Sequence, residues 1–334
     1  MKVVIFTGAG ISAPLGLPTT DKFNININNS FMNMLKSYLN AKKGINKDDI
    51  EIILSTIDEF LNFDFVKLLC YTLSSRIVSN SPTNNDYKNY VKEANSTLTI
   101  LKKNIYSQLS NFKENEALML YKTLFSSIVE KYKTSQISYI TTNYDLTLDK
   151  TLEKYYKEFS FIDDLENIFE DYFEKPKLGS SYFKYKKLDT SKPYFEYVKL
   201  HGSLDWHKDD NTCIKSGTAT TPDNPESMYI IYPGEKLIPE DDPFASLHHI
   251  TFQRMLEADV IIVIGFAFRD KTINYIFSNV LQNNKKAEIH VVNPLELDKF
   301  PKDSKFPFFY ENYQNQIEYH QEYLTVNEKL SFLQ

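Results

Sequence analysis

Cysteine is scarce in this 334-residue chain, which contains only Cys70 and Cys213. Two cysteines so far apart in sequence provide neither a disulfide framework nor a four-cysteine zinc module. Disulfide-rich secreted scaffolds are therefore excluded, and we expect a reducing, cytoplasmic setting. No secretory signal pattern precedes the first strand-like run, which agrees with that expectation.

An excess of positive charge is also missing, because 38 Lys and Arg residues are outnumbered by 44 Asp and Glu residues, giving a net charge of −6. We therefore expect no direct binding to nucleic acid or to an anionic membrane surface. The longest apolar run, around Val260 to Phe268, is much too short to cross a bilayer. Hydrophobic residues still make up 42% of the chain, which is enough for a substantial core.

Short β-branched runs closed by Gly, Asn or a turn are typical of strands that are buried on both faces. The sequence predicts such strands at Val3–Thr7, Ile137–Thr142, Val260–Gly265 and Ile289–Asn293. Helical patterns separate these segments. The expected fold class is therefore α/β, with a parallel sheet whose strands are joined by crossover helices.

The stretch between the first two predicted strands is too long for one crossover helix. Its apolar residues recur at helical spacing, as in Leu118, Tyr121, Leu124 and Phe125. We interpret residues 23–134 as an inserted helical subdomain within a core formed by residues 1–22 and 135–334. A second, irregular insert is expected at about residues 159–197.

A glycine-rich loop follows the first predicted strand, where Gly8, Gly10 and Ala13 match the pattern G-x-G-x-x-[GA]. Glycines at this spacing allow backbone N–H groups to approach a pyrophosphate at a helix N-terminus. The alternative is a strand-to-helix turn without a ligand. An ordinary nicotinamide dehydrogenase would also carry an acidic residue about 20 positions later, and none is found in "NINNSFMNM".

Polar residues and glycines follow the other apolar runs, at the sheet edge where ligands bind in this architecture. Asn143 and Asp145 follow the second run, His201 precedes a glycine, and Gly265 and Asn293 end two later runs. Each has a structural alternative. Asn143 and Asp145 are suited to capping the next helix, and a single histidine is more often a hydrogen-bonded core residue.

The blocks GAGIS, TTNYD, LHG, GFAFRD and VNP resemble, in this order, the NAD-binding signature of the sirtuin (silent information regulator) family. The resemblance implies a Rossmann-like parallel sheet core of the sirtuin type. It implies that His201 is the general base and that Asn143 and Asp145 hold the nicotinamide ribose and its leaving group. The cofactor-binding residues that it implies are Gly8, Ala9, Gly10, Ser12, Thr142, Gly265 and Asn293.

The sequence also departs from that family. Sirtuin deacylases carry a C-x-x-C…C-x-x-C zinc module after the HG segment, where this chain has only Cys213. Thr142 replaces a glutamine, and Phe266 and Ala267 replace hydroxyl residues of a G-T-S loop. The chain is more similar to the sirtuin-like NAD-consuming effectors of bacterial antiphage defence, in which water replaces acyl-lysine as the nucleophile.

This likeness implies an NAD hydrolase that releases nicotinamide and ADP-ribose, with NAD as substrate and no metal. It further implies a homo-oligomer whose candidate partners are a separate sensor or ATPase protein, or a phage-derived trigger. An NAD-dependent protein deacylase and a non-catalytic NAD or ADP-ribose sensor are the alternatives. Because an unrestrained hydrolase would drain its host of NAD, we expect the helical insert to restrain activity at rest.

Overall fold

The computed structural model describes residues 1–23, 25, 27–41, 49–62, 84–174, 181–209, 212–216, 227–232 and 241–334. Cys70 and parts of the predicted helical insert (24, 26, 42–48 and 63–83) lie outside the described residues. Within the described ranges, every helix is too short or too polar to span a membrane.

The described strands belong to two sheets. In chain order they are β1 (Lys2–Thr7), β2 (Gln136–Thr141), β3 (Phe169–Asp171), β4 (Phe173–Glu174), β5 (Ser181–Phe183), β6 (Tyr194–Lys199), β7 (Gly202–Asp209), β8 (Thr212–Lys215), β9 (Met228–Ile230), β10 (Val260–Ile264), β11 (Glu288–Val292) and β12 (Ile317–His320). The central sheet has the order β12-β11-β10-β1-β2-β6-β3, and all its pairings are parallel. The second sheet is antiparallel, with the order β4-β5-β8-β7-β9.

The described helices are α1 (Ser30–Ala41), α2 (Ile50–Asn62), α3 (Asn84–Leu109), α4 (Glu114–Tyr132), α5 (Thr147–Tyr155), α6 (Leu165–Ile168), α7 (Phe244–Glu257), α8 (Lys271–Asn283) and α9 (Phe306–Asn312). Helices α7, α8 and α9 pack on one face of the central sheet, and α4 and α5 pack on the other. Both faces of the inner strands are thereby removed from water, which is why these strands read as nearly continuous apolar runs.

The predicted α/β class with a parallel sheet core is confirmed, and each of the four predicted strands is present to within one residue at either end. Strand β6 lies partly inside the segment expected to be irregular. Its sequence YFEYVK does not look like a buried strand, because it contains a glutamate. Glu196 is nevertheless fully buried, and its carboxylate forms a two-point ion pair with Arg254 at 2.7 and 3.0 Å. The antiparallel sheet was not predicted, since most of its strands span only two to four residues.

The helices between β1 and β2 divide into two groups. Helices α1, α2 and α3 form a separate apolar cluster, which also includes Tyr144 and Leu146 from the loop after β2. Helix α4 instead packs directly on the central sheet, with Tyr121 and Phe125 against Tyr139. The domain boundaries themselves remain a prediction.

Candidate active site

The candidate site lies at the carboxyl edge of the central sheet. Every residue predicted for it follows a strand there. The first loop lies after β1, Thr142 to Asp145 after β2, His201 after β6, Gly265 after β10 and Asn293 after β11. Backbone hydrogen bonds tie these loops together, such as Thr142 N to Thr7 O at 3.1 Å and Gly265 N to Val292 O at 3.1 Å.

Three side chains form a network between the loops after β1 and β2. The Ser12 hydroxyl donates to Asp145 Oδ2 at 2.8 Å. The Asn143 amide donates at 3.2 Å both to Ser12 Oγ and to Asp145 Oδ2. Ser12 is 2% exposed and Asp145 7% exposed, so the network is nearly dry. Buried groups with satisfied hydrogen bonds hold their orientation, which makes this a rigid polar surface.

Asp145 also stabilises the start of α5. Its Oδ1 accepts hydrogen bonds from Thr147 N at 3.0 Å and from Thr147 Oγ1 at 2.6 Å. The Lys199 ammonium donates to the Asp145 carbonyl at 2.5 Å and lies 3.1 Å from Asp149. One carboxylate oxygen of Asp145 therefore has the helix-capping role, and the other oxygen belongs to the network with Ser12.

His201 is held by an acidic partner that the sequence analysis did not identify. Its side chain is 2% exposed, and its Nε2 lies 3.2 Å from Asp270 Oδ2. Asp270 is the N-cap of α8, where its Oδ1 accepts from Ile273 N at 2.8 Å. Burial opposes ionisation of Asp270, but the hydrogen bond and charge of His201 outweigh it and lower the pKa of this carboxyl. In the segment "FRDKTI", an aspartate directly before a helix is typical of an N-cap, but nothing in the sequence indicates that Asp270 contacts His201.

The second ring nitrogen of His201 is free. Nδ1 is buried and has no hydrogen-bond partner among the described residues. In the neutral form of the ring, an Nε2–H that donates to the carboxylate leaves the lone pair on Nδ1. Asp270 therefore fixes which tautomer the neutral ring adopts.

A second histidine, His248, packs against His201. The rings of His248 and His201 stack with centroids 6.4 Å apart, and His248 Nδ1 lies 2.8 Å from Phe244 O. Burial, and secondly the proximity of His201, lower the pKa of His248 to about 4. His248 is therefore neutral at pH 7 and places no positive charge beside His201.

The glycines of the predicted phosphate loop allow two loops to touch. A Cβ atom on Gly10 would lie 2.6 Å from Gly265 Cα, and one on Gly8 would lie 2.8 Å from Gly265 O. The Gly8 and Gly10 amides donate to Ile264 O and Gly265 O, both at 3.0 Å. In the described part of the chain, the Ala9 amide has no such partner. The Ala13 amide likewise has no backbone partner among the described residues, so both amides remain available to a ligand.

The other two predicted contact residues are engaged within the chain. Thr142 Oγ1 donates to Thr7 O at 3.4 Å. Asn293 Oδ1 accepts from Leu295 N at 3.1 Å, and its amide group lies 3.5 Å from Phe266 O. These contacts shape the rim of the site.

The helical insert meets the site at Arg269, the residue before Asp270. The Arg269 guanidinium forms ion pairs with Asp49, which is fully buried, and with Asp303 at 2.9 Å. Asp49 also caps α2, accepting from Glu51 N at 3.0 Å. Burial, followed by the charge of Asp49, raises the pKa of Glu51 to about 8. This acidic group next to the site was not predicted, because nothing in the sequence indicates that α2 reaches Arg269.

Comparison with known proteins identifies the family to which the chain belongs. The model of the SIR2-like domain family matches residues 137–317, more than half of the chain. Similar solved structures include a Sir2 homologue mutant with 2′-O-acetyl ADP-ribose (14% identity, 100% of this chain and 90% of that chain, TM-score 0.46) and a Sir2 homologue with NAD (15% identity, 99% and 87%, TM-score 0.45). The curated proteins gave no match. The matched segment contains β2, β6, β10 and the loops that carry Asn143, His201 and Asp270, and the chain belongs to the SIR2-like domain family.

Proposed function

We propose that this chain binds NAD at the carboxyl edge of the central sheet and hydrolyses the nicotinamide–ribose bond, releasing nicotinamide and ADP-ribose. The observation that carries the proposal is the His201–Asp270 pair, in which a buried imidazole is oriented by a carboxylate and keeps an unpartnered Nδ1. Membership of the SIR2-like family supports NAD as the substrate.

The first loop supplies contacts for the diphosphate. The Ala9 amide is free to donate to a phosphate oxygen, and the loop passes into a short 3₁₀ helix at Ala9–Ile11. The amides of Gly8 and Gly10 hold the loop in place instead of binding the phosphate directly. Gly265 contributes by allowing this close approach, and Asn293 shapes the adenosine side of the site.

The network of Ser12, Asn143 and Asp145 faces the reacting ribose in this proposal. Nicotinamide leaves NAD as a neutral molecule, and positive charge develops on the ribose. The Asp145 carboxylate stabilises that charge, and the Asn143 amide orients the ribose or the nicotinamide amide. Fixed dipoles and charges in a dry site cost little reorganisation when the bond breaks.

His201 removes the proton in the second half of the reaction. Water attacks the ribose carbon, its oxygen forms the new bond, and Nδ1 accepts the proton directly or through a ribose hydroxyl. NAD and water thus give ADP-ribose, nicotinamide and one proton. General-base catalysis of this kind contributes roughly 10²–10⁴ in rate. No metal takes part in these steps.

The proposal includes restraint by the helical insert. Helices α1 to α3 share an apolar cluster with Tyr144 and Leu146, the residues on either side of Asp145. The Asp49–Arg269 pair fixes α2 beside Asp270. A shift of the insert would therefore move both halves of the site. We further propose that the chain acts in the cytoplasm as an oligomeric NAD-depleting effector of antiphage defence, released by a trigger or partner protein.

The test is release of free nicotinamide from NAD by the purified chain, with and without an acetylated peptide, over a range of protein concentrations. Peptide-independent release that is lost in His201→Ala supports the hydrolase. His249→Ala is the matched control, because His249 is exposed and lies outside the site. Release that requires the peptide identifies a deacylase, and binding of NAD without turnover under any condition identifies a sensor.

A further inference from the structure

A cluster of histidines and glutamates lies at one side of the central sheet, where β11 pairs with β12. His290 Nδ1 and His320 Nε2 are 2.9 Å apart, although the two residues are 30 positions apart in sequence. Glu318 Oε2 lies 3.4 Å from His290 Nδ1 and 4.0 Å from His320 Nε2. One donor atom from each of the three side chains lies within 4.8 Å of the others.

We propose that His290, His320 and Glu318 bind one divalent transition-metal ion of the zinc type. Two nitrogens that bind zinc at about 2.0–2.1 Å in tetrahedral geometry are about 3.3 Å apart. The two imidazole nitrogens form a hydrogen bond at 2.9 Å, so a bound ion would displace the proton between them and widen their separation by about 0.4 Å. Glu318 supplies the third ligand, and solvent supplies the fourth.

The hydrogen bonding of His290 is that of a metal ligand. Its Nε2 lies 2.7 Å from Glu288 Oε1, so Nε2–H donates to the carboxylate, and the Nδ1 lone pair accepts from His320 Nε2–H in the metal-free chain. A histidine that ligates a metal commonly donates its other N–H to a carboxylate in this way, which fixes its tautomer and raises its basicity. His290 thus has both the orientation and the supporting group that a metal site requires.

The two imidazoles are immobilised, while the carboxylate is free to move. The Phe332 ring stacks on His290 and on His320, with centroids 4.4 Å apart in each case. The side chains of His290 and His320 are 3% and 9% exposed, whereas that of Glu318 is 63% exposed. A metal ion can therefore enter from the solvent side and be closed in by rotation of Glu318.

Charge and ligand chemistry define the class of ion. Among the described residues, the carboxylates of Glu288 and Glu318 act on His290 more strongly than the Lys131 ammonium does, so the surroundings favour a cation. Two nitrogens and one oxygen suit Zn²⁺, Ni²⁺ or Cu²⁺, whereas Mg²⁺ and Ca²⁺ prefer oxygen ligands. This site is independent of the proposed NAD chemistry.

The experiment is calorimetric titration of the full metal-free chain with ZnCl₂ at pH 7.5, with MgCl₂ and CaCl₂ titrated in parallel. We expect one equivalent of zinc to bind, at least tenfold more weakly in Glu318→Gln and in His320→Gln, and no stoichiometric binding of magnesium or calcium. His249→Gln and Glu311→Gln are the matched controls, since both residues are exposed and neither belongs to the cluster, and each is expected to retain wild-type affinity.

A second measurement covers the case in which the histidine variant is poorly folded. Glu318→Gln changes an exposed side chain, and circular dichroism at 222 nm verifies its fold. Addition of Co²⁺ to the wild-type chain is expected to give the intense visible bands of tetrahedral cobalt, and Glu318→Gln is expected to lose them. Absence of stoichiometric zinc binding, or wild-type affinity in a folded Glu318→Gln variant, would overturn the proposal.

Discussion

The most direct test of the catalytic pair is Asp270→Asn. In the wild-type chain, Asp270 Oδ1 accepts from Ile273 N and Oδ2 accepts from His201 Nε2–H. Asparagine has one oxygen and one NH₂ group. If the oxygen keeps the helix cap, the NH₂ group faces His201 and forces its proton to the other nitrogen. The Nδ1 lone pair that accepts the substrate proton is then lost.

The expected losses differ greatly between catalysis and stability. General-base catalysis contributes a factor of about 10²–10⁴ to the reaction rate, and most of this factor is lost when His201 is in the wrong tautomer. The loss corresponds to an increase of about 3–5 kcal/mol in the activation barrier. Asparagine is as good an N-cap as aspartate, so folding loses mainly the charge at the helix N-terminus, about 0.3–1 kcal/mol. The lowered pKa of Asp270 means that its charge also stabilises the folded chain above the ordinary carboxyl pKa, and Asp270→Asn gives up that contribution at pH 7.5.

The assay is initial-rate release of nicotinamide at saturating NAD and pH 7.5, together with thermal unfolding of the same preparations. Asp303→Asn is the matched control, since Asp303 pairs with Arg269, the residue next to Asp270, and within the described residues it forms no hydrogen bond with His201. A folded Asp270→Asn variant that releases nicotinamide at the wild-type rate would refute the proposed role of the pair. A melting temperature lowered by far more than a few degrees would show that Asp270 is chiefly structural.

His201→Ala is expected to lower nicotinamide release by about 10²–10⁴ while leaving the melting temperature close to that of wild type, and equal rates would remove His201 from the mechanism. Asn143→Ala is expected to be nearly inactive because orientation of the ribose contributes several kcal/mol, whereas a large drop in melting temperature with unchanged specific activity would favour a purely structural role. Gly10→Ala places a Cβ atom 2.6 Å from Gly265 Cα, and denaturant unfolding is expected to show a loss of about 1–3 kcal/mol. Because the folded chain holds the Glu51 proton up to about pH 8 while the unfolded chain releases it near pH 4.5, wild-type stability falls between these values. Glu51→Gln is therefore expected to unfold at a higher denaturant concentration than wild type at pH 8 and at the same concentration near pH 4. Equal midpoints for the two proteins at pH 8 would contradict the raised pKa of Glu51.

The sequence predicted those parts of the molecule in which local pattern and burial agree. The run VIIVI reads as a strand because β10 is covered on both faces. The position of the site residues at the carboxyl edge of the sheet could be predicted because parallel strands end on the same side. Strand β6 was only partly predicted, because its buried Glu196 becomes compatible with a core only through Arg254, which lies on α7.

The partners of the site residues could not be predicted for a related reason. Asp270 reads from the sequence as a helix cap, and its contact with His201 depends on how the loops after β10 and β6 meet. The same holds for His290 and His320, which come together only through the pairing of β11 with β12. Residue type and local spacing indicate what a side chain can do, whereas strand order decides with which partner it does so.

The contact between Gly10 and Gly265 has a mechanical consequence. With backbone atoms of the two loops this close, neither loop can be displaced far without displacing the other. The loop that begins at Gly265 passes through Phe268, whose φ of +53° is strained for an aromatic residue, and ends at Asp270. A nucleotide that pushes on the first loop therefore also pushes on the carboxylate that orients His201. Under the proposed function, occupancy of the diphosphate subsite and alignment of His201 would be linked through this short stretch of backbone.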